Sequence, residues 1–231
     1  MTSPPAPVGT PALPGTLAFL GGTGDQGRGL ARRLALAGHR VVLGSRSVER
    51  AEAAAASVQA GLPAGADVRG ATNDDAAGAA DLVVVAVPYE GHAALLQAVA
   101  PRLAGKIVVD CVNPLGFDER GAFALDVPEG SAAEQAAAIL PESTVVAAFH
   151  HVSAVLLLDH DVESMDTDVL VLGDDRAATD QVQELVGGIR GMRGIYAGRL
   201  RNARQVEALT ANLIAVNRRY KAHAGLRVTD V

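Results

Sequence analysis

Tryptophan is absent from this chain, and three tyrosines and four phenylalanines are the only other large aromatic residues. With 49% of the residues apolar, the core has to be packed by alanine, leucine and valine. Cysteine occurs once, at Cys111. A single thiol excludes a disulfide framework and a zinc-type cluster and gives no sign of an oxidising compartment; it reads as a small buried apolar residue. Positive charge is not in excess either, and a formal charge of −6 disfavours a nucleic-acid partner. No apolar run is long enough to cross a bilayer. Residues 1–15 carry Pro4, Pro5, Pro7, Pro11 and Pro14 but neither a basic start nor an apolar signal stretch, so they read as a disordered proline-rich tail. These absences together predict a cytoplasmic protein with no nucleic-acid and no membrane partner. The Y-x-x-x-K pattern of tyrosine–lysine reductases is also missing: Ala93, Leu200 and Ala224 stand four places after Tyr89, Tyr196 and Tyr220.

What is present is organised around Leu17–Gly27. An apolar run ends in a glycine loop, Gly22-x-Gly24-x-x-Gly27, and a helical pattern (Leu30, Leu34, Leu36) comes directly after it. In that setting one glycine makes the tight turn, one lets backbone approach a pyrophosphate, and one lets the helix pack close to the strand. The free N–H groups of the helix start then face the phosphates. The second strand, Arg40–Gly44, ends in Ser45-Arg46-Ser47, with Arg50 one helical turn beyond Arg46. An acidic residue there would bind the ribose 2′-hydroxyl of NAD. A serine and an arginine suit a 2′-phosphate instead, by hydroxyl and charge-assisted fork, so the expected dinucleotide is NADP(H).

Strands and helices alternate along the rest of the chain. The unbroken run Asp81–Val87 reads as a parallel strand covered on both faces. The expected fold is α/β, a doubly wound and mainly parallel sheet, with residues 16–150 as a Rossmann NADP-binding domain. Residues 151–231 are expected to form a small C-terminal α/β extension that completes an acceptor pocket and ends in a helix from Leu200 to about Ala224. Residues 117–130 read as a polar loop, Thr144–Phe149 as a strand ending in His150-His151, and 152–164 are left unassigned. Ligands bind beyond the carboxyl ends of strands in such sheets, which puts Gly22–Gly24, Ser45–Arg46, Val87–Pro88, Cys111–Pro114 and His150 on one crevice. Neighbouring strand residues point to opposite faces, so His150 and His151 do not read as a metal site, and no metal is expected.

The stretches Leu20–Gly27, Gly44-Ser45-Arg46, Ala86–Glu90, Asn113-Pro114-Leu115, Ser131–Glu134, Val145–His150, Gly173-Asp174-Asp175 and Arg201–Arg204 resemble the F420-dependent NADP reductase family. The resemblance implies reversible hydride transfer between NADPH and the deazaflavin coenzyme F420. It implies that Thr23, Ser45, Arg46 and Arg50 hold the NADP phosphates; Asp25 and Gln26 of the glycine loop, with Val87, Pro88 and Asn113 just past strand ends, are expected to line the cofactor site. The resemblance places His150 beside the stacked rings as the catalytic residue and Ala224 as a C-terminal wall; Ala154, in the stretch after His150, is also expected at the cofactor site. From the residues alone, His150 reads as positioning and polarising the acceptor ring rather than as an obligatory proton donor. The apolar face of the last helix suggests a homodimer, closed two-fold pairs being the commonest assembly. Alternatives remain open: an NADPH-dependent flavin, ferric or imine reductase, or a redox sensor that binds NADP(H) without turnover. An imine reductase would add a long all-helical domain, whereas only residues 151–231 come after His150.

Overall fold

In the computed structural model, residues 15–231 are described; the proline-rich tail expected at 1–15 lies, but for Gly15, outside them. A buried strand, β1 (Thr16–Leu20), leads through the glycine loop into α1 (Asp25–Leu36). Next come β2 (Arg40–Ser45), α2 (Val48–Gln59), β3 (Val68–Thr72), α3 (Asn73–Ala79) and β4 (Leu82–Val85). A 3-10 turn, Tyr89–Gly91, opens onto α4 (His92–Leu103), then β5 (Ile107–Asp110). After β6 (Leu115–Asp118) and β7 (Gly121–Ala124) the chain runs through α5 (Ala132–Ile139), β8 (Thr144–Ala147), α6 (Ala154–Leu158), β9 (Thr167–Gly173), α7 (Arg176–Gly187), β10 (Met192–Gly198) and α8 (Ala203–Tyr220).

Eight strands form one sheet in the order β10-β9-β8-β5-β4-β1-β2-β3. All neighbours are parallel except β8 and β9, which run antiparallel. From β1 the chain winds outward through β2 and β3, then returns to β4 on the other side of β1. The crevice at that reversal, beyond the carboxyl ends of β1 and β4, is where such sheets bind ligands. Each face of the sheet has its own apolar cluster. One gathers Leu17, Phe19, Leu30 and Leu43 with Val182 and Leu185; the other gathers Leu20, Val83, Val85, Leu96 and Leu103. Valine and leucine runs covered on both sides are what a parallel sheet requires.

Four details differ from the sequence expectation. The segment 117–130 is not all loop: β6 and β7 pair as an antiparallel hairpin from Leu115 to Ala124, closed where Asp118 Oδ1 accepts from Arg120 N at 2.8 Å and Gly121 N at 3.1 Å. Its glycine- and alanine-rich strands carry little apolar alternation, so periodicity misses it. β8 stops at Ala147, two residues early, because Phe149 turns into the left-handed region at φ 64. Side-chain alternation therefore does not extend to His150, and Phe149, His150 and His151 are all buried. The last helix stops at Tyr220, ended by Lys221 at φ 55, so Ala224 lies beyond it. The unassigned stretch after His151 contains α6, N-capped by Ser153. Arg33, buried on α1, pins the end of α6 and the residues after it by donating to the carbonyls of Leu156, Leu157, Asp159 and Val162 at 2.6–3.0 Å.

Candidate functional site

A cavity of about 1010 Å³ opens at the reversal of strand order. Its floor is the glycine loop, through Gly21, Thr23 and Gly24, with Ala86, Val87 and Pro88 after β4. Ser45, Arg46 and Arg50 stand on one wall, Thr72, Asn73 and Asp74 at the top of β3, and Ala94, Leu95 and Ala98 of α4 close the far side.

The loop conformation is set by its glycines. Gly21, one residue ahead of the expected motif, takes the left-handed turn at φ +68. Gly22 N donates to both Phe19 O (3.1 Å) and Gly44 O (3.0 Å), so it ties β1 to β2 and does not line the cavity. A Cβ on Gly27 would stand 2.7 Å from Gly22 Cα, so only glycine lets α1 start this close to the loop. A Cβ on Gly24 would meet nothing nearer than 4.0 Å, because that residue faces the open cavity. The loop is also braced by Asn73, whose Oδ1 accepts from Gly21 N at 3.1 Å. Sequence reasoning missed Asn73; its only signal was a polar residue immediately after a strand, at the carboxyl edge of the sheet.

Arg46 and Arg50 make no ion pair among the described residues. Arg50 lends its backbone N–H to the Ser47 cap of α2 at 3.3 Å and lines the cavity. Ser45, buried, accepts from Ser47 N at 3.3 Å and keeps its hydroxyl proton to give. Two uncompensated cations and a free hydroxyl at one end of a cavity form an anion socket.

The remaining expected residues lie apart from this cavity. Asp25 opens α1 and pairs with Arg28 at 2.6 Å. Gln26 Nε2 donates to Phe149 O at 3.3 Å and Asn113 Nδ2 to His150 O at 2.8 Å, so both hold the turn that carries His150. Ala154 begins α6, and Ala224 lines a separate small cavity of about 50 Å³ with His151, Ser153 and His223. His150 is 3% exposed, and neither ring nitrogen has a hydrogen-bond partner among the described residues. Burial is the main cause that drives its pKa down to about 4, against the pull of the Asp110 carboxylate, so the ring is neutral at pH 7. His151 Nε2 instead donates to the Asp168 carbonyl at 2.9 Å, a structural bond. Among the described residues, no group of three or more His, Cys, Asp or Glu side chains is placed to hold a metal ion.

Sequence reasoning also missed a buried charged cluster behind His150. His92 Nε2 donates to Asp110 Oδ2 at 2.6 Å, with both side chains fully buried. His92 Nδ1 lies 3.0 Å from Gln135 Oε1, an orientation fixed because Gln135 Nε2 donates to Glu129. Both ring nitrogens therefore face acceptors. Burial pulls the His92 pKa down, but the hydrogen bond and charge of Asp110, with Gln135 and Glu207, outweigh it and the net shift is upward. Cys111, buried against the Val85 carbonyl, has its thiol pushed up by burial beyond any physiological ionisation.

With the geometry in place, the chain can be set against known proteins. A family model described as NADP oxidoreductase, coenzyme F420-dependent, matches residues 16–114. The chain is 42% identical over 223 residues to the F420-dependent NADP reductase of Methanothermobacter thermautotrophicus, covering 93% of this chain and 95% of that one. It is 40% identical over 223 residues to the F420-dependent NADP reductase of Methanocaldococcus jannaschii, covering 93% and 98%. A solved structure of a candidate F420-dependent NADP reductase from Arthrobacter sp. FB24 superposes with a TM-score of 0.79 at 31% identity, covering 94% of this chain and all of that one.

Proposed function

The chain belongs to the F420-dependent NADP reductase family, oxidoreductases of NADP(H) and coenzyme F420, and from that premise we propose how its own residues divide the work of hydride transfer. Ser45, Arg46 and Arg50 take the 2′-phosphate, Thr23 and Gly24 the pyrophosphate at the start of α1, and Val87 and Pro88 pack on the nucleotide. One observation carries this reading: two arginines with no carboxylate partner share a cavity with an open glycine loop. NADP(H) and F420 supply the chemistry when bound, one giving hydride and the other accepting it. The protein's task is then to hold the two rings in close register and keep water out. His150 serves that task as a neutral, buried ring with unspent hydrogen-bonding capacity at the carboxyl end of β8. Residues 16–150 act as the nucleotide-binding unit, and 151–231, which add β9 and β10 to the same sheet, complete the acceptor side with Ala154 and Ala224 at its border.

We place the protein in the cytoplasm, a setting that its free, buried Cys111 suits, and as a homodimer. The outward side of α8 and the neighbouring hairpin support the dimer, since Tyr220 is 73% and Phe117 70% exposed. No helix among the described residues is long and apolar enough to cross a membrane.

The deciding experiment mixes purified protein and NADPH separately with coenzyme F420, FMN, FAD and a ferric chelate, and follows each chromophore. Rapid turnover with F420 and little with the others is expected. Stoichiometric NADPH binding with no oxidation by any acceptor would instead identify a sensor. His150→Ala should lower kcat by about 10- to 100-fold with NADPH affinity kept, as fits a positioning ring; a loss above ~10⁴-fold would assign it true acid–base work.

A further inference from the structure

The turn that presents His150 does not hold itself. Phe149, a bulky residue at φ 64, sits where only glycine is at ease. Three side chains from distant elements restrain it: Gln26 on the Phe149 carbonyl, and Asn113 and Thr210 on the His150 carbonyl, the last at 3.0 Å. Thr210 belongs to α8, and most of that helix is only partly covered. One turn earlier, on the same side of α8, Glu207 is 2% exposed. Its carboxylate accepts from Ala132 N at 3.0 Å and Ala133 N at 3.1 Å, the first N–H groups of α5. That is an anion at the positive end of a helix, supplied from a different helix.

We infer that Glu207 is a positioning residue for hydride transfer: docked on the start of α5, it holds α8 in register and so keeps Thr210 on the carbonyl of His150. The inference rests on the proposed place of His150 beside the reacting rings. The charged groups around Glu207 are His92 from α4, Asp110 from β5, Glu134 in the first turn of α5, and Arg204 on its own helix, which is drawn off to Asp126 at 2.7 Å. Burial is the largest influence and raises its pKa to about 7, Asp110 adding to the rise while the two N–H bonds and His92 oppose it. A carboxyl whose pKa is higher docked than free binds its proton more tightly when docked. The docking is therefore firmest below the range of a free carboxyl, weakens as pH rises from there to about 7, and is level above that.

The test compares wild type with Glu207→Ala and Glu207→Gln, reading kcat with F420, NADPH affinity, and amide exchange of α8 from about pH 5 to 8 corrected for intrinsic rates. Glu207→Ala should lose about tenfold to a hundredfold in kcat, with NADPH affinity within about twofold, and exchange faster over α8. Glu207→Gln, neutral at every pH and able to accept only one of the two N–H bonds, should recover part of the rate and show α8 protection with no pH trend, whereas wild-type protection falls as pH rises to about 7. An unchanged kcat in the alanine variant, equal loss of NADPH affinity, or a glutamine variant that keeps the wild-type pH trend would overturn the inference. Should Glu207→Ala fail to fold, Thr210→Val breaks the other link. It should reproduce the kcat loss and be rescued by Thr210→Ser, and full activity in Thr210→Val overturns the inference equally. Wild type inactive with F420 would refute the placement at a hydride site, while the exchange series would still decide the docking.

Discussion

Arg46→Ala should lower kcat/KM for NADPH by about 100-fold while changing kcat/KM for NADH by less than about threefold. Arg46 lines the cavity beside Ser45 and has no carboxylate partner among the described residues, so its removal breaks no internal contact and the melting temperature should not move. What is lost is a forked, charge-assisted contact to a dianionic phosphate, worth about 3 kcal/mol, or close to two decades in binding. NADH carries no such phosphate and has nothing to lose. Steady-state kinetics with both nucleotides read the selectivity directly. Equal losses for the two, or none for NADPH, would move the 2′-phosphate away from the end of β2.

Gly27→Ala should act without regard to the 2′ position, weakening NADPH and NADH alike by about 100-fold or more. The added Cβ meets Gly22 Cα at 2.7 Å and Gly22 C and O at 3.1 Å, all backbone with no flexible end to swing away. The first turn of α1 must then retreat from the loop whose N–H groups face the phosphates. Overpacking of this kind costs about 1–3 kcal/mol, and in a chain of this size 2 kcal/mol lowers the melting temperature by about 4–8 °C. Gly24→Ala is the matched control: its Cβ projects into open space, so it should bind nucleotide poorly yet melt with the wild type. Isothermal titration and calorimetry on the two variants separate a loop that is misplaced from one that is obstructed.

The contrast between Arg46 and Gly27 also shows what could be read along the chain. Both were visible because their signals are local. A glycine loop between an apolar run and a helical period, and an arginine at a strand end, declare their jobs within a few residues. Asn73 was not visible, since its bond to Gly21 spans 52 positions and nothing near either residue announces it. The His92–Asp110 pair lies 18 apart, across the return from α4 to β5. Glu207 reaches Ala132 across 75, and no local pattern singles it out. The strand expected to reach Phe149 also ends early, at Ala147, because Phe149 leaves the extended region.

The amino-acid sequence by itself settled the α/β alternation, the glycine loop and the basic, serine-bearing strand end. Each depends on backbone freedom, side-chain period or charge among residues a turn or less apart. Only the tertiary structure decided that Gln26 and Asn113 bind the His150 turn, that His150 is buried without partners, and that a carboxylate on the last helix caps the start of another. Those are meetings between elements far apart in the chain, and the packing of helices on a twisted sheet, which no local pattern encodes, brings them together.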